Sequence, residues 1–171
     1  MVVNQKINPN NAEDKGTDKL NKVTLKAKIT NFILNQNDIV FFVLFGSFVK
    51  SEHSPFRDID IALYMAESPD LKRLGFLVSE LEYITQCKID IVVLNKLYDV
   101  DPLFSQEIVS SNEMIPNTNV MELDAIRELY AKYCLRSLKM YEDTKDMRQK
   151  MGVAFKKRLE HGEFAGYNHA Y

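Results

Sequence analysis

The 171-residue sequence contains no hydrophobic run that approaches the roughly 20 residues needed to cross a bilayer. Its first residues, MVVNQKINPNNAEDKG, lack the apolar segment of a secretory signal, so we expect a cytoplasmic protein without a membrane partner. Only two cysteines are present, Cys87 and Cys134, and their wide spacing is not that of a metal-binding pair. In the cytosol we expect both to be reduced, buried thiols.

A strong net charge is also missing. The formal net charge is −2 and the pI is near 5.9, which argues against a surface that binds duplex nucleic acid, because affinity for phosphates needs clustered Lys and Arg. The C-terminal region differs from this average. Residues 127–160 contain ten basic and five acidic residues. This stripe is either the solvated face of a helix or a contact surface for an acidic or nucleic-acid partner.

What the sequence does contain is enough apolar material for one core, since 46% of its residues are hydrophobic. Hydrophobic periodicity predicts helices over residues 19–36, 69–86, 102–111 and 120–151, and strands over residues 38–45, 58–64 and 88–94. Ser68-Pro69 is the expected start of the second helix. The last helix would be roughly 45 Å long, and its apolar stripe consists of Leu123, Ile126, Leu129 or Tyr130, Tyr133, Leu138 and Tyr141.

Three segments follow from this organisation. Residues 1–17 are polar and are interpreted as a flexible lead-in. Residues 18–118 are expected to form the main folded domain, and residues 119–171 a C-terminal helix with a frayed tail that packs on the domain or on a partner.

The segment DIDIALY carries the strongest chemical signal. On a strand, Asp58 and Asp60 point to the face opposite Ile59 and Ile61, and Asp90 in KIDIVVL occupies the matching place on a neighbouring strand. Carboxylates this close would repel one another without a cation. Two or three carboxylates suit Mg²⁺, which keeps places for water and substrate phosphates. The alternative is a set of solvated carboxylates on an open sheet face. Tyr64 shares this face and either stacks on a base or packs on the sheet.

Gly46-Ser47 directly follows the dense apolar run DIVFFVLF. Glycine permits a tight turn, and a following helix would present N–H groups to an anion, with the Ser47 hydroxyl as a further donor. A nucleoside triphosphate would then lie between this turn and the metal ions. Ser47 could equally serve as an N-cap, and the two roles are compatible at one turn.

The spacing Gly46, Ser47, ten residues, Asp58, Asp60, together with Asp90, resembles the signature of the DNA polymerase beta-like nucleotidyltransferase superfamily. Chain length, strand order and the segment LFSQEIVSSNEMI look like its MNT-type minimal members, the antitoxin partners of HEPN toxins. The resemblance implies an α/β (α+β) fold with a small mixed sheet flanked by helices. It also implies transfer of AMP from ATP, with two Mg²⁺ ions held by Asp58, Asp60 and Asp90, to a tyrosine hydroxyl of a HEPN toxin.

The sequence departs from the usual family pattern near the glycine. Phe48, Ser51 and Arg57 stand where many relatives carry Arg or Tyr, glycine, and a small polar residue. These changes leave the acidic triad intact but affect the nucleotide contacts. Lys50 and Arg57 are therefore candidates for binding the phosphates in place of the usual residues, beside the alternative that they are ordinary surface residues of a loop.

Two other functions fit the sequence. The first is an antitoxin that binds without catalysis and masks a HEPN ribonuclease through the C-terminal helix and its aromatic stripe. The second is a nucleotidyltransferase that modifies a small molecule such as an aminoglycoside. Relatives of that kind carry a larger C-terminal domain for the acceptor, and the chain after Asp90 leaves little room for one.

Overall fold

The computed structural model describes residues 14–50, 58–110 and 113–161, with side chains from residue 22 onwards. The helices are α1 (Asp14–Leu34), α2 (Gly46–Lys50), α3 (Leu71–Thr85), α4 (Leu97–Val100), α5 (Pro102–Ser110), α6 (Leu123–Asp143) and α7 (Lys145–Glu160). The strands are β1 (Ile39–Phe45), β2 (Asp58–Met65), β3 (Lys88–Val93) and β4 (Met114–Pro116). The three predicted strands are confirmed, whereas α4 and β4 have no counterpart in the sequence-based assignment.

The strands form one mixed sheet in the order β3-β2-β1-β4. β1 pairs antiparallel with β2 and β4, and β2 pairs parallel with β3 through the crossover helix α3. All seven residues of β1 are buried, as expected for a dense apolar strand in the middle of a sheet. The predicted small mixed sheet flanked by helices is confirmed.

The two faces of the sheet have separate cores. On one face, Ile59, Ile61 and Leu63 of β2 pack with apolar residues of α1 and α3. On the other face, Ala62 packs with apolar residues of α5 and α6. The alternation along β2 predicted this division, and it places the even-numbered residues of the strand, including the two aspartates, on the side of α5 and α6.

Asn117 holds β4 and the end of α1 against β1. Its side chain is fully buried, and its amide donates to the carbonyl oxygens of Ile33, Gln36 and Ile39 at 3.3, 3.0 and 2.9 Å. Buried carbonyl groups at a helix end are costly unless they have partners. Asn117 therefore satisfies three of them at the point where the chain turns from α1 into β1.

Helix α3 begins later than predicted. The Asp70 carboxylate accepts a hydrogen bond from the Arg73 amide at 2.7 Å, so Asp70 is the N-cap and Ser68-Pro69 lie outside the helix. The Arg73 guanidinium forms two hydrogen bonds with Asp38, at 2.6 and 2.8 Å. These hydrogen bonds hold the pKa of Asp38 below its ordinary value and connect α3 to the start of β1.

The long C-terminal helix is present as α6 and α7, with an interruption at Thr144. The Thr144 hydroxyl donates to the Met140 carbonyl at 2.7 Å, a contact that bends helices. The predicted apolar stripe lies entirely within α6 and is buried only in part. Ile126 and Tyr133 are buried, but Leu138 is 45% exposed and Ser137 takes the buried position instead.

Helix α7 has no buried residue. Four of its exposed apolar side chains, at 42–63% exposure, recur every fourth position at Met147, Met151, Phe155 and Leu159, and Val153 on the same helix is 66% exposed. Within the described residues, none of the helices combines the length and the apolar character that a membrane crossing requires.

Other expectations concern the ends of the chain and the thiols. Most of the lead-in and the final residues 162–171 lie outside the described residues, and α1 begins at Asp14. Both cysteines are free and half-buried rather than fully buried. Burial raises the pKa of each thiol, which keeps both in the neutral form at neutral pH.

Candidate active site

Three aspartates come together at one end of the sheet. Asp58 and Asp60 lie at the start of β2, and the parallel register places Lys88 beside Asp58 and Asp90 beside Asp60. All three aspartates are half-buried. β2 is a central strand and β3 is an edge strand, so Asp60 is fixed from both sides while Asp90 borders solvent.

The three carboxylates are close enough to affect one another electrostatically. Burial, then the charge of Asp58, then that of Asp90, raise the pKa of Asp60 above its ordinary value. The charge of Lys88 acts in the opposite direction. A carboxyl group under this combination of burial and like charge is typical of a functional site, and a bound cation would relieve it.

Position 46 requires a glycine because of its backbone conformation and its contact with Asp60. Its φ is +69°, a left-handed conformation that residues with a side chain rarely adopt. A Cβ at this position would lie 1.9 Å from Oδ2 of Asp60 and 2.8 Å from its Cγ. The register pairs Phe45 with Asp60, so the end of β1 brings the Gly46 backbone directly against the carboxylate. Two parts of the sequence pattern, separated by more than ten residues, are thus in contact.

Helix α2 starts at this glycine. Its anchor is Phe48, which is 5% exposed and belongs to the core between the sheet, α1 and α3. Ser47 is exposed on the same turn. The replacement of a polar residue by Phe48 therefore fixes the short helix through the core.

Of the two basic candidates for phosphate binding, the structure describes Lys50. Lys50 is exposed at the end of α2, and its ammonium lies 3.5 Å from Glu107 of α5. This pair keeps Lys50 near the turn but gives it an acidic partner. Arg57, together with Ser51, lies outside the described residues.

Lys88 is a residue of the site that the sequence interpretation missed. Its Nζ lies 2.9 Å from Oδ2 of Asp90, and this hydrogen bond raises the pKa of Lys88. As the side chains stand, no three histidine, cysteine or acidic residues in the described part of the chain are gathered closely enough to hold an ion. The donors are nonetheless the hard oxygens that Mg²⁺ prefers, on adjacent strands and on one face. The alternating pattern K-I-D, which puts Lys88 and Asp90 on the same face, was the available signal.

A groove of about 450 Å³ lies on the same sheet face, beyond the other end of β2. Tyr64 and Tyr98 line it, with Lys132, Arg136 and Lys139 of α6. Tyr64 stacks on Phe41 with ring centroids 4.7 Å apart. Tyr64 therefore packs on the sheet, one of its two predicted positions, and its edge reaches the groove.

Comparisons with known proteins agree on the fold. Residues 27–120, more than half of the chain, match the family model described as Polymerase beta, Nucleotidyltransferase. No curated protein matches the chain significantly in sequence.

Several solved structures with a similar fold are toxin–antitoxin complexes. One contains a tri-AMPylated Shewanella oneidensis HEPN toxin with an MNT antitoxin (TM-score 0.54, 19% identity, 81% of this chain and 98% of that chain). A second is the MntA-HepT toxin–antitoxin, with the same four values. A third is a toxin–antitoxin with AMP-PNP (TM-score 0.58, 18% identity, 78% of this chain and 97% of that chain).

Proposed function

The chain belongs to the polymerase beta nucleotidyltransferase family, and we infer that it transfers AMP from ATP to a hydroxyl group of a HEPN-domain partner protein, which it thereby neutralises. The observation that carries this proposal is the contact between Gly46 and Asp60, with Asp58 and Asp90 beside them. It joins the turn expected to hold polyphosphate to the carboxylates expected to hold metal. An exposed cluster of acidic residues would not require a glycine at that position.

Each residue has a proposed role. Asp58, Asp60 and Asp90 hold two Mg²⁺ ions. The Gly46 turn and Ser47 bind the β- and γ-phosphates, with Lys50 and Arg57 as further phosphate contacts. Bound Mg²⁺ would neutralise charge on the α-phosphate and favour ionisation of the acceptor hydroxyl.

The chemistry is an in-line displacement. The acceptor oxygen attacks the α-phosphorus, the bond from the α-phosphorus to the bridging oxygen breaks, and pyrophosphate leaves. Asp90, at the solvent border of the sheet, helps to accept the proton of the acceptor hydroxyl. The AMP unit remains attached to the acceptor through a new phosphodiester bond.

The type of partner is supported by fold similarity and by the exposure of the site. One matched complex contains a tri-AMPylated HEPN toxin, and another is the MntA-HepT toxin–antitoxin. Asp90 lies on the edge strand of the sheet with its side chain 48% exposed, so the hydroxyl group of a protein partner can approach the carboxylates from solvent.

The test uses ATP labelled at either the α- or the γ-phosphate, with Mg²⁺ and a HEPN-domain protein as the acceptor. Label from the α-phosphate should appear on the partner, and label from the γ-phosphate should not. The Asp58→Ala/Asp60→Ala variant should lose transfer. Asp124→Ala is the matched control, because that carboxylate is 95% exposed on α6 and far along the chain from the site. Equal labelling by the double variant and the wild type would reject the assigned site.

One observation favours a second function, neutralisation by binding alone. The aromatic stripe first considered for this role is not available, because Tyr133 is buried and the Arg148 guanidinium covers Tyr141 with its centre 4.2 Å from the ring centroid. Several exposed apolar side chains lie on α7 instead, in addition to Leu135 and Leu138 of α6. If Asp58→Ala/Asp60→Ala still neutralises the partner at normal expression, binding is the function. If neutralisation is lost while the complex still forms, transfer is the function.

A further inference from the structure

Lys88 lies beside the carboxylates, at the start of the edge strand β3. It is two residues before Asp90 on β3, so both side chains are on the same face, and the register places it beside Asp58. Its ammonium is 2.9 Å from Oδ2 of Asp90. In the described chain, one other ion pair between two exposed side chains has an N–O distance this short. It is formed by Lys132 and Glu128 at 2.7 Å, and it joins neighbouring turns of α6.

An ammonium group and a metal ion compete for the same oxygen. A carboxylate oxygen that accepts a charge-assisted hydrogen bond has part of its lone-pair density engaged, and two cations at one carboxylate repel each other. In the arrangement seen here, a divalent ion therefore has to displace the ammonium in order to bind Oδ2 of Asp90. The Lys88 side chain is 63% exposed, so water is available to solvate it when it leaves.

We propose that Lys88 is the internal counter-cation of the carboxylate site: it pairs with Asp90 in the metal-free protein and must leave that oxygen for a divalent cation to bind. The inference rests on the proposed function only in assigning a cation to Asp90. It has two linked consequences. Lys88 stabilises the metal-free sheet by offsetting the repulsion among Asp58, Asp60 and Asp90, and it weakens the binding of the first metal ion.

The length of the lysine side chain makes the exchange possible. A compact ammonium on a flexible four-carbon stem remains tethered within a few ångström of the site after it releases Asp90. In the metal-free state it returns without diffusing from solution. The site then resists trace cations and takes up a metal ion only when the free concentration is high enough to displace an internal competitor.

The experiment is a titration of Mn²⁺ into the full-length protein without nucleotide, followed by calorimetry and by the electron paramagnetic resonance signal of free Mn²⁺. Lys88→Met keeps the length of the stem and removes the charge. We expect Mn²⁺ to bind about three- to tenfold more tightly to this variant, as the loss of one exposed, screened cation predicts. We also expect a lower melting temperature without metal and a larger increase when Mn²⁺ is added.

Two controls separate this proposal from general charge effects. Lys132→Met removes a lysine from the other close ion pair, and it should leave Mn²⁺ affinity unchanged. In an Asp90→Asn background, Lys88→Met should produce a much smaller gain, because the shared oxygen is no longer a carboxylate. Circular dichroism checks that each variant is folded.

Unchanged or weaker Mn²⁺ binding by folded Lys88→Met would overturn the proposal. The proposal would also be overturned if Lys88→Met raised Mn²⁺ affinity equally in the wild-type and in the Asp90→Asn background. This outcome is independent of the labelling experiment, because the titration contains neither nucleotide nor partner. A protein that binds Mn²⁺ more tightly after Lys88→Met but transfers no AMP would support the counter-cation and reject the proposed function.

Discussion

The contact between Gly46 and Asp60 leads to the sharpest prediction, a coupled loss of stability and activity in Gly46→Ala. The φ of +69° costs an alanine roughly 1–2 kcal/mol. The added methyl group would lie 1.9 Å from Oδ2, 2.8 Å from Cγ and 3.3 Å from Cβ of Asp60. Rotation of the side chain can relieve the first two contacts only by moving the carboxylate away from its position.

We expect the free energy of unfolding to fall by about 1–3 kcal/mol in total. At about 2–4 °C per kcal/mol for a chain of this size, the melting temperature should fall by about 2–12 °C. AMP transfer by the remaining folded protein should fall by about 100-fold or more, since a displacement of about 1 Å at a reacting centre has that effect. Thermal unfolding and the α-label assay, run below the melting temperature of the variant, measure the two effects separately.

Two other glycines provide controls. A Cβ at Gly75 of α3 or Gly152 of α7 would meet nothing within 4 Å, and both residues are helical. Alanine at either position should raise stability by roughly 0.5–1 kcal/mol and leave transfer unchanged. If Gly46→Ala resembles these controls in stability and activity, the contact with Asp60 does not constrain the site.

Three further predictions concern the scaffold. Arg73 holds the pKa of Asp38 below its ordinary value of 3.8, so the stability from this pair is present above that pH and is lost as pH falls through the lower folded-state pKa. In acid unfolding, Asp38→Asn should remove this dependence of stability on pH. At neutral pH the variant should lose about 1 kcal/mol or less of its free energy of unfolding, because the carboxylate is 41% exposed. An Asp38→Asn variant whose stability falls with acid as it does in the wild type would contradict this prediction. Asn117→Asp turns an amide donor into a carboxylate that faces three carbonyl groups, and urea unfolding should show a loss of at least about 2 kcal/mol. Burial raises the pKa of Tyr133 to about 12, and its hydroxyl is 2.8 Å from the buried hydroxyl of Ser105. In urea unfolding, Tyr133→Phe should lower the free energy of unfolding by about 1 kcal/mol. The same change at Tyr83, which is 77% exposed, should not lower it measurably.

Much of the site's placement was predictable because β-strand periodicity depends only on chain geometry. The alternation of Asp58, Ile59, Asp60 and Ile61 predicted one buried and one less buried side of the strand, and the structure shows both isoleucines buried and both aspartates half-buried. The same periodicity put Asp90 on the matching face of the next strand, and the parallel register places it beside Asp60. The functions of these residues remain predictions.

What the sequence did not reveal depends on contacts between distant residues. β4 has only three residues, including a proline, and its pairing is held by Asn117, whose partners lie about 80 residues earlier. The start of α3 depends on the choice between two nearby polar residues, and Asp70 is favoured because its carboxylate reaches the Arg73 amide. The ion pair of Lys88 with Asp90 is a matter of side-chain orientation, which periodicity does not specify.

The interruption at Thr144 gives α7 a mechanical property. At 1.5 Å per residue the 16-residue helix is about 24 Å long. Because α7 has no buried residue, the bend at its base is restrained mainly by local hydrogen bonds, including the one that Arg148 donates to the Tyr141 carbonyl at 2.7 Å. A change of about 20° at this joint, the size of an ordinary helix kink, would sweep the far end through about 8 Å. The chain thus ends its described part in an arm whose tip would move through a wide arc with small changes at Thr144, without any change at the end of the sheet that carries Asp58, Asp60 and Asp90.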